Sequence, residues 1–287
     1  MIGADDGITA VLPTFNREPA LQETIGDYLR MTGIAEILVV DDGSTDGTRD
    51  FLAGLADDRV RVITHERNRG LPAARNTGAA QAKTAWVLYI EDDCRMPPDY
   101  GTELRRVAQE QHADIVSAPW LNVEPSTYEQ ALQEGRANPV STVDFHTYVG
   151  SFPPAPVATP FLCALSLVHR RVFEKVRYDE GFKVSAFREE TDFYLRAVEA
   201  GFRCVLTPTT ASCQVKRWDG GTRRRRWLYE VWVIRNNWRF LRRHRVALRT
   251  QGVPSIYLEQ ARFTLKRTTG VARHYAVLVR DLVRRRR

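Results

Sequence analysis

Cysteines and long apolar runs are scarce in this sequence, and their scarcity excludes several classes of protein. Only 4 of the 287 residues are cysteine, and no two of them have the Cys-x-x-Cys spacing of a zinc site. No segment approaches the roughly 18–20 apolar residues needed to cross a bilayer. The N-terminus lacks the basic and apolar segments of a secretory signal. We therefore expect a cytoplasmic protein with reduced thiols.

Charge is distributed unevenly along the chain. Of the 42 basic residues 21 lie in 216–287, where only 4 of the 35 acidic residues are found. The body of the chain is therefore acidic and its C-terminal segment is strongly basic. This asymmetry predicts two surfaces with different partners.

Short apolar segments alternate with helix-like segments over the first 120 residues. Strands are predicted at 8–12 (ended by Pro13), 36–40, 59–64, 85–90 and 113–118, with helices between them. This alternation predicts an α/β fold with a mainly parallel sheet that is covered on both faces. Residues 119–160 are predicted to be irregular, and long basic helices are predicted at 223–249 and 255–284.

Polar clusters follow three of the predicted strands, at 14–17, 41–44 and 91–93. Ligands bind outside the carboxyl ends of the strands in such sheets. The acidic triplet Glu91-Asp92-Asp93 offers the oxygen ligands that Mg²⁺ and Mn²⁺ prefer. Taken alone, the triplet is more typical of a solvated acidic turn or of a charge cluster at a helix N-terminus.

Three further segments carry candidate site residues, and each also has a purely structural interpretation. The segment VVDDGSTDGT (39–48) offers carboxylates for a ribose or base, or a helix cap. In the segment ERNRGLPAARNTG (66–78), Arg75 either binds a phosphate or nucleobase or is a surface residue of an alanine-rich helix. The segment FREETDFYLRAVEAG (187–201) offers Glu190 as a general base, or acids that favour the helix dipole.

Taken together and in this order, these motifs resemble the family-two, A-fold glycosyltransferases. The matching segments are PTFNR, VVDDGSTDGT, NRGLPAARNTG, the acidic triplet followed by MPPDY, and REETDFYLRAVEAGF. The resemblance implies a Rossmann-like nucleotide half in 1–118, an acceptor half in 119–215 and a basic helical extension in 216–287. It also implies inverting transfer from a nucleotide diphosphate sugar, with UDP-sugars favoured.

The resemblance extends to individual positions of the donor site. Asp42 resembles the carboxylate that faces the base, and Arg75 resembles a donor-contacting arginine. The implied donor-binding set is Pro13, Thr14, Asn16, Arg17, Asp41, Asp42, Arg75 and Asp92.

The metal site implied by the resemblance departs from the family pattern at two positions. Asp93 and Glu91 resemble the outer acids of the Asp-x-Asp motif, which implies binding of Mn²⁺ or Mg²⁺. Asp is usual at position 91, and the longer Glu91 side chain suits either the metal or the ribose. Gln214 stands where relatives often have a metal-binding His, so either the triplet and diphosphate hold the metal alone or Lys216 or Arg217 partly replaces that ligand.

The catalytic residues are expected at the start of the predicted helix 189–200. Glu190 resembles the base that takes the proton from the acceptor hydroxyl group. Glu189 and Asp192 complete the candidate catalytic set.

The basic segment supports several interpretations. Residues 223–245 interleave arginines with tryptophans, which suits an anionic membrane surface, and peripheral attachment at its inner face would follow. The same pattern suits helices that pack on the catalytic body. No nucleic-acid motif accompanies the arginines, so nucleic acid is not an expected partner.

The sequence therefore predicts a glycosyltransferase acting on a glycan, lipid-linked or small-molecule acceptor. A catalytically weak nucleotide-sugar-binding or scaffold protein of the same fold is the alternative, because Glu91 and Gln214 depart from the family pattern. A nucleotidyltransferase is disfavoured, because the N-terminal region has no glycine-rich, lysine-bearing pyrophosphate loop.

Overall fold

Four parallel strands from the first ninety residues form the centre of the protein. The computed structural model describes residues 7–123, 125–214 and 226–269. Strands β1 (Ile8–Thr14), β2 (Ile34–Asp41), β3 (Val60–Thr64) and β4 (Trp86–Tyr89) lie in the order β3-β2-β1-β4. All residues of β1 are buried, as expected for a strand covered on both faces. The predicted mainly parallel α/β sheet is confirmed.

Pro13 does not end the first strand, contrary to the sequence-based expectation. It pairs in register with Val40, and β1 continues to Thr14. Strand β4 pairs with β1 only as far as Val11. Beyond that point β1 has a neighbour on one side only, and a residue without an amide donor is tolerated there.

The helices of the nucleotide half cover this sheet. They are α1 (Glu18–Leu29), α2 (Thr48–Ala53), α3 (Leu71–Gln81) and α4 (Tyr100–Glu110). Helix α3 lies close against β1, because a Cβ atom on Gly78 would stand 2.3 Å from a Val11 methyl group. This close approach fixes the start of α3 beside the carboxyl ends of the strands.

The sheet continues with strands from the second half of the chain. Strand β9 (Ser166–His169) lies antiparallel between β4 and β6 (Ile115–Ser117), and β10 (Cys204–Leu206) and β8 (Val157–Ala158) complete eight strands. The nucleotide and acceptor halves share one sheet, in which β9 separates two strands of the first half.

A second sheet of three short strands borders the acidic triplet. It consists of β5 (Cys94–Arg95), β11 (Ser212–Gln214) and β7 (Trp120–Leu121), in the order β5-β11-β7. Gln214 pairs with Cys94 across this sheet. The sequence analysis did not predict this sheet, nor helix α5 (Tyr128–Ala137) within the region expected to be irregular.

Helices of the C-terminal segment pack on the acceptor half. Helix α6 (Glu189–Glu199) is followed by α7 (Arg226–Arg243), α8 (Arg245–Thr250) and α9 (256–269). The prediction of a single helix over 223–249 is wrong, because the helix is interrupted at His244. Phe240 and Leu241 of α7 share a buried cluster with Phe161 and Phe182. The packed-helix interpretation therefore holds for one face of α7.

Other parts of the basic segment lie outside the described residues. These are Lys216, Arg217, the boundary predicted at 215, and residues 270–287. Within the described ranges, no helix has the length and apolar character needed to cross a membrane.

Candidate active site

A cleft of about 620 Å³ opens where β1, β2 and β4 end, and α6, α7 and α9 also border it. Its volume is in the range of ordinary ligand sites. The lining includes Pro13, Thr14, Phe15, Arg17, Asp42, Asn68, Gly70, Glu91, Asp92, Asp93, Trp120, the segment 184–187, Glu189, Glu190, Tyr229, Glu230 and Arg267. The structure therefore gathers the strand-end clusters and the start of α6 around one space.

The acidic triplet lies at the base of this cleft, after β4. The hydroxyl group of Thr14 donates a hydrogen bond of 2.9 Å to Asp92. The guanidinium of Arg17 lies 3.7 Å from Asp92 and 3.6 Å from Asp93. Burial raises the pKa of Asp92 to about 7, an effect that Asp93 reinforces and Arg17 and Thr14 oppose. Carboxylates are thus crowded here to a degree that favours a cation.

The residues around Asp93 suit a hard divalent cation. Ligand atoms of Glu91, Asp93 and Cys94 all lie within 4.8 Å of one another. Gln214 is 8% exposed and donates a hydrogen bond of 3.3 Å to Asp93, while its Oε1 atom is buried and has no partner among the described residues. Two carboxylates and an amide oxygen are ligands that Mg²⁺ and Mn²⁺ accept, whereas the Cys94 thiol is a softer donor.

The end of β2 shows that two adjacent aspartates have different surroundings. Asp42 lines the cleft and accepts hydrogen bonds from the amides of Arg69 and Gly70, at 2.9 and 2.7 Å. Gly70 has φ +95°, a conformation that favours glycine. Asp42 thereby fixes the loop that leads into α3.

Asp41 and Asn16 are not among the cleft-lining residues, and other groups of the protein bind their side chains. The fully buried Asp41 accepts hydrogen bonds from the Ser44 amide and from Arg49, at 2.9 and 3.1 Å. The Asn16 side chain accepts a hydrogen bond of 2.7 Å from the Thr45 amide. Their polar atoms therefore stabilise the turn between β2 and α2.

Arg75 is neither a surface residue nor a cleft-lining one. It is 1% exposed and forms ion pairs with Glu189 and, at 2.8 Å, with Glu91. The guanidinium also lies over the rings of Tyr89 and Tyr178. Arg75 therefore connects the acidic triplet to α6 from beneath the cleft, where it cannot touch a donor directly.

The three acids at the start of α6 also differ in their surroundings. Burial raises the pKa of Glu189 well above its usual range, and Arg75 opposes that rise. Glu190 is partly exposed, lines the cleft and has no hydrogen-bond or ion-pair partner among the described residues. Its carboxylate is therefore available to a substrate.

Asp192, the third member of the expected catalytic set, is not among the cleft-lining residues. It is fully buried and accepts hydrogen bonds from Arg196, Arg243 and His244, at 2.8–2.9 Å. Its contacts with Arg243 and His244 hold its side chain against α7. Its role is to join α6 to the C-terminal helices.

The loop before α6 has an unusual backbone. Val184, Ala186 and Arg188 have φ angles of 64°, 51° and 71°, each costing about 1–3 kcal/mol for a residue with a side chain. Asn236 of α7 donates hydrogen bonds of 3.1 Å to the carbonyl of Lys183 and to Ser185. The C-terminal helices thereby hold the loop that shapes the cleft beside Glu190.

Sequence reasoning missed the part of the cleft formed by these helices. Tyr229 and Glu230 of α7 and Arg267 of α9 line it, as does Trp120 at the edge of the small sheet. None of these residues belongs to a strand-end motif. The basic, aromatic pattern of the segment indicated packing or a membrane surface, and only the fold places it against the site.

Comparison with known proteins agrees with the fold and the motifs. The glycosyl transferase family 2 model matches residues 9–177, more than half of the chain. The chain belongs to glycosyl transferase family 2.

Individual relatives each match less than half of this chain. The succinoglycan biosynthesis protein ExoO of Rhizobium meliloti is 35% identical over 112 residues, which cover 39% of this chain and 31% of ExoO. A UDP-Glc:alpha-D-GlcNAc-diphosphoundecaprenol beta-1,3-glucosyltransferase, WfgD of Escherichia coli, is 30% identical over 87 residues, covering 30% of this chain and 34% of WfgD. The chain thus spans about a third of the length of these curated relatives.

Solved structures share the fold at low sequence identity. S. aureus TarS with UDP-GlcNAc has a TM-score of 0.57 at 18% identity, covering 83% of this chain and 72% of that one. GalNAc-T7 with UDP, GalNAc and Mn²⁺ has a TM-score of 0.58 at 19% identity, covering 75% of this chain and 44% of that one. These similarities confirm the A-type glycosyltransferase fold.

Proposed function

We propose that this family-2 glycosyltransferase inverts the anomeric carbon as it transfers a sugar from a nucleoside diphosphate sugar to a hydroxyl group. The acceptor is a glycan, a lipid-linked sugar or a small molecule. The observation that carries the proposal is that Glu190, which has no hydrogen-bond or ion-pair partner among the described residues, lines the same cleft as the acidic triplet. An acceptor and a donor would meet between these two groups.

A UDP-sugar is the favoured donor. TarS and GalNAc-T7 were solved with UDP-GlcNAc and with UDP, respectively, and WfgD is named for its use of UDP-Glc. Pro13, Thr14 and Asp42 line the nucleotide side of the cleft, where Asp42 suits a base or ribose. We assign Asp41, Asn16 and Arg75 to supporting positions, because, unlike Asp42, they are not among the residues that line the cleft.

Asp93 and Glu91 would hold Mn²⁺ or Mg²⁺, with the Gln214 amide oxygen beside them. The ion, when bound, would neutralise charge on the leaving diphosphate. Arg17 lies against Asp92 and Asp93 and is placed to contribute positive charge to the same region. Asp92, held by Thr14, would keep the triplet in its conformation.

Glu190 acts as the general base in this proposal. Its carboxylate accepts the proton of the acceptor hydroxyl, while the acceptor oxygen forms a bond to the anomeric carbon. The bond from that carbon to the diphosphate oxygen breaks, and its electron pair leaves with the diphosphate. Attack on the face opposite the leaving group inverts the configuration. The names of ExoO and WfgD support a role in polysaccharide biosynthesis.

Replacing Glu190 by Gln tests the base directly. The amide keeps the shape of the side chain but cannot take up the proton, so kcat should fall by about 10²-fold or more. Donor affinity should remain unchanged in a UDP-sugar titration with Mn²⁺. Glu174→Gln, on an exposed site outside the cleft, is the matched control. Near-wild-type turnover in the Glu190 variant would contradict the assignment.

Replacing Asp93 by Asn tests the metal site. Loss of the Asp93 carboxylate should weaken Mn²⁺ binding at least tenfold, as measured by electron paramagnetic resonance in the presence of UDP. Sugar transfer should fall with it. Asp99→Asn removes an exposed carboxylate of the same segment and should leave both unchanged. Full Mn²⁺ affinity in the Asp93 variant would remove Asp93 from the metal site.

A further inference from the structure

The C-terminal helices bring a guanidinium into the cleft. Arg267 of α9 donates a hydrogen bond of 2.7 Å from Nε to one oxygen of Glu230 on α7, and its Nη2 atom forms an ion pair with the same oxygen at 2.6 Å. The side chain of Arg267 remains 34% exposed and that of Glu230 15% exposed. Among the described residues, no other side chain forms a hydrogen bond or ion pair with either member of this pair. A single carboxylate oxygen therefore holds the guanidinium at the cleft.

The charges around the cleft favour an anion-binding role for this guanidinium. The described lining carries two guanidinium groups and seven carboxylates, which are Asp42, Glu91, Asp92, Asp93, Glu189, Glu190 and Glu230. Arg17 already compensates Asp92 and Asp93. A diphosphate entering this cleft meets repulsion from the carboxylates, and Arg267 is the second lining cation that can offset it.

We infer that Arg267 binds the diphosphate of the donor, and that Glu230 holds the guanidinium in place until the donor arrives. This inference rests on the proposed function and deepens it. A guanidinium presents parallel N–H donors that fit phosphate oxygens, so exchange of Glu230 for phosphate conserves its hydrogen bonds. Negative charge on the diphosphate increases as the sugar leaves, and the contact with Arg267 strengthens at that moment.

The consequence is a donor site completed by the basic C-terminal segment. Tyr229 and Glu230 lie next to each other on α7, and α9 presents Arg267 to the same space. In this arrangement the strand-end motifs bind the nucleotide, but they compensate only part of the negative charge of its diphosphate. Glu230 becomes an internal competitor of the donor, because both bind the same guanidinium.

Substitution of each member of the Arg267–Glu230 pair distinguishes diphosphate binding from a purely structural role, because the two substitutions should change UDP affinity in opposite directions. Isothermal titration of UDP with Mn²⁺ should show about tenfold weaker binding to Arg267→Gln than to wild type. Glu230→Gln should bind UDP more tightly than wild type, because the competitor of the diphosphate is removed. Uridine, which has no phosphate, should bind all three proteins equally. Arg262→Gln removes an exposed arginine of the same helix and should behave like wild type.

Three other results would contradict either the role of Arg267 or the proposed function. Equal weakening of UDP binding by both substitutions, with equal losses of Tm, would identify a purely structural ion pair and overturn the inference. Unchanged UDP affinity in Arg267→Gln would overturn it as well, while leaving the proposed function intact. A wild-type protein that binds none of UDP, dTDP and GDP would overturn the proposed function itself.

Discussion

Arg75 joins the two acidic parts of the site through charge buried beneath the cleft. Its guanidinium pairs with Glu189 and Glu91, and its Nε atom has no partner among the described residues. Removing one member of a buried ion pair leaves the other charge without compensation. Arg75 therefore controls both stability and the distance between the triplet and the start of α6.

Replacement of Arg75 by Met should lower the free energy of unfolding by about 3–5 kcal/mol, because Glu189 loses its counter-charge in a site that is 1% exposed. Urea denaturation measures this loss. The double variant Arg75→Met with Glu189→Gln should regain part of it, since the uncompensated carboxylate is gone. Arg67→Met, an exposed control, should be neutral. A double variant less stable than the single one would argue against the buried pair.

For single residues, the sequence predicted which types of side chain form the site better than it predicted where each side chain points. Acids and arginines at strand ends were recognised because their spacing matches a family pattern. The sequence does not tell which of two adjacent carboxylates points into the cleft. Asp41 and Asp42 differ in that respect because β-strand side chains alternate, and the Ser44 amide and Arg49 capture Asp41.

Helix α7 is joined to the acceptor half by two buried or half-buried aspartates. Asp192 of α6 binds Arg243 and His244, while Asp179, before the cleft loop, binds Arg239 and Arg243. Burial alone would raise the pKa of Asp179, but hydrogen bonds from Arg239, Arg243 and the Gly181 amide lower it to about 2. The position of α7 thus depends on ionised carboxylates.

Asp179→Asn should destabilise the protein by about 1 kcal/mol at neutral pH. Because the pKa of Asp179 is lower in the folded state, its contribution is present above the unfolded pKa of about 4 and is lost as pH falls toward 2. The difference in Tm between wild type and variant should therefore narrow between about pH 4 and pH 2. Asp58→Asn, at an exposed site, should show no such trend. A constant difference across that range would contradict the ionised state.

Elements with strong periodicity were predicted well, and those defined by tertiary contacts were not. Strands β1 to β4 are apolar runs whose burial makes them recognisable. Strands β5 and β11 have only two and three residues, and pairing across the chain creates them. No proline or glycine marks the break between α7 and α8 at His244. The break is instead accompanied by a tertiary contact, in which the ring of His244 turns inward and binds Asp192.

The net positive charge of the whole molecule comes from the segment after residue 215, which holds 21 of the 42 basic residues but only 4 of the 35 acidic ones. Part of that segment packs on the acceptor half, yet Trp227 remains 63% exposed and Val231 45% exposed. Residues 271–287 include six arginines and one aspartate. One part of this segment therefore packs on the protein, while its last residues add to its positive charge, so we retain a contact with an anionic membrane as a prediction for residues 271–287.

Deleting residues 271–287 should weaken binding to anionic vesicles, because several arginines near a surface each contribute about 1 kcal/mol. The deletion preserves α9 and Arg267, so UDP affinity should stay unchanged. Flotation with phosphatidylglycerol vesicles measures the first effect, and phosphatidylcholine vesicles provide the uncharged control. Equal flotation of the full and shortened chains would refute the membrane interpretation of this segment.

The insertion of β9 between β4 and β6 sets the order in which the sheet forms during synthesis. When β6 leaves the ribosome, its neighbour β9 lies about fifty residues behind it in the chain, and β10 is later still. The free edges of β4 and β6 therefore wait, unpaired, for several seconds at ordinary elongation rates of about 5–20 residues per second. Exposed strand edges invite pairing with other chains. A nascent chain halted in the 119–160 region would be the form of this protein most prone to aggregate.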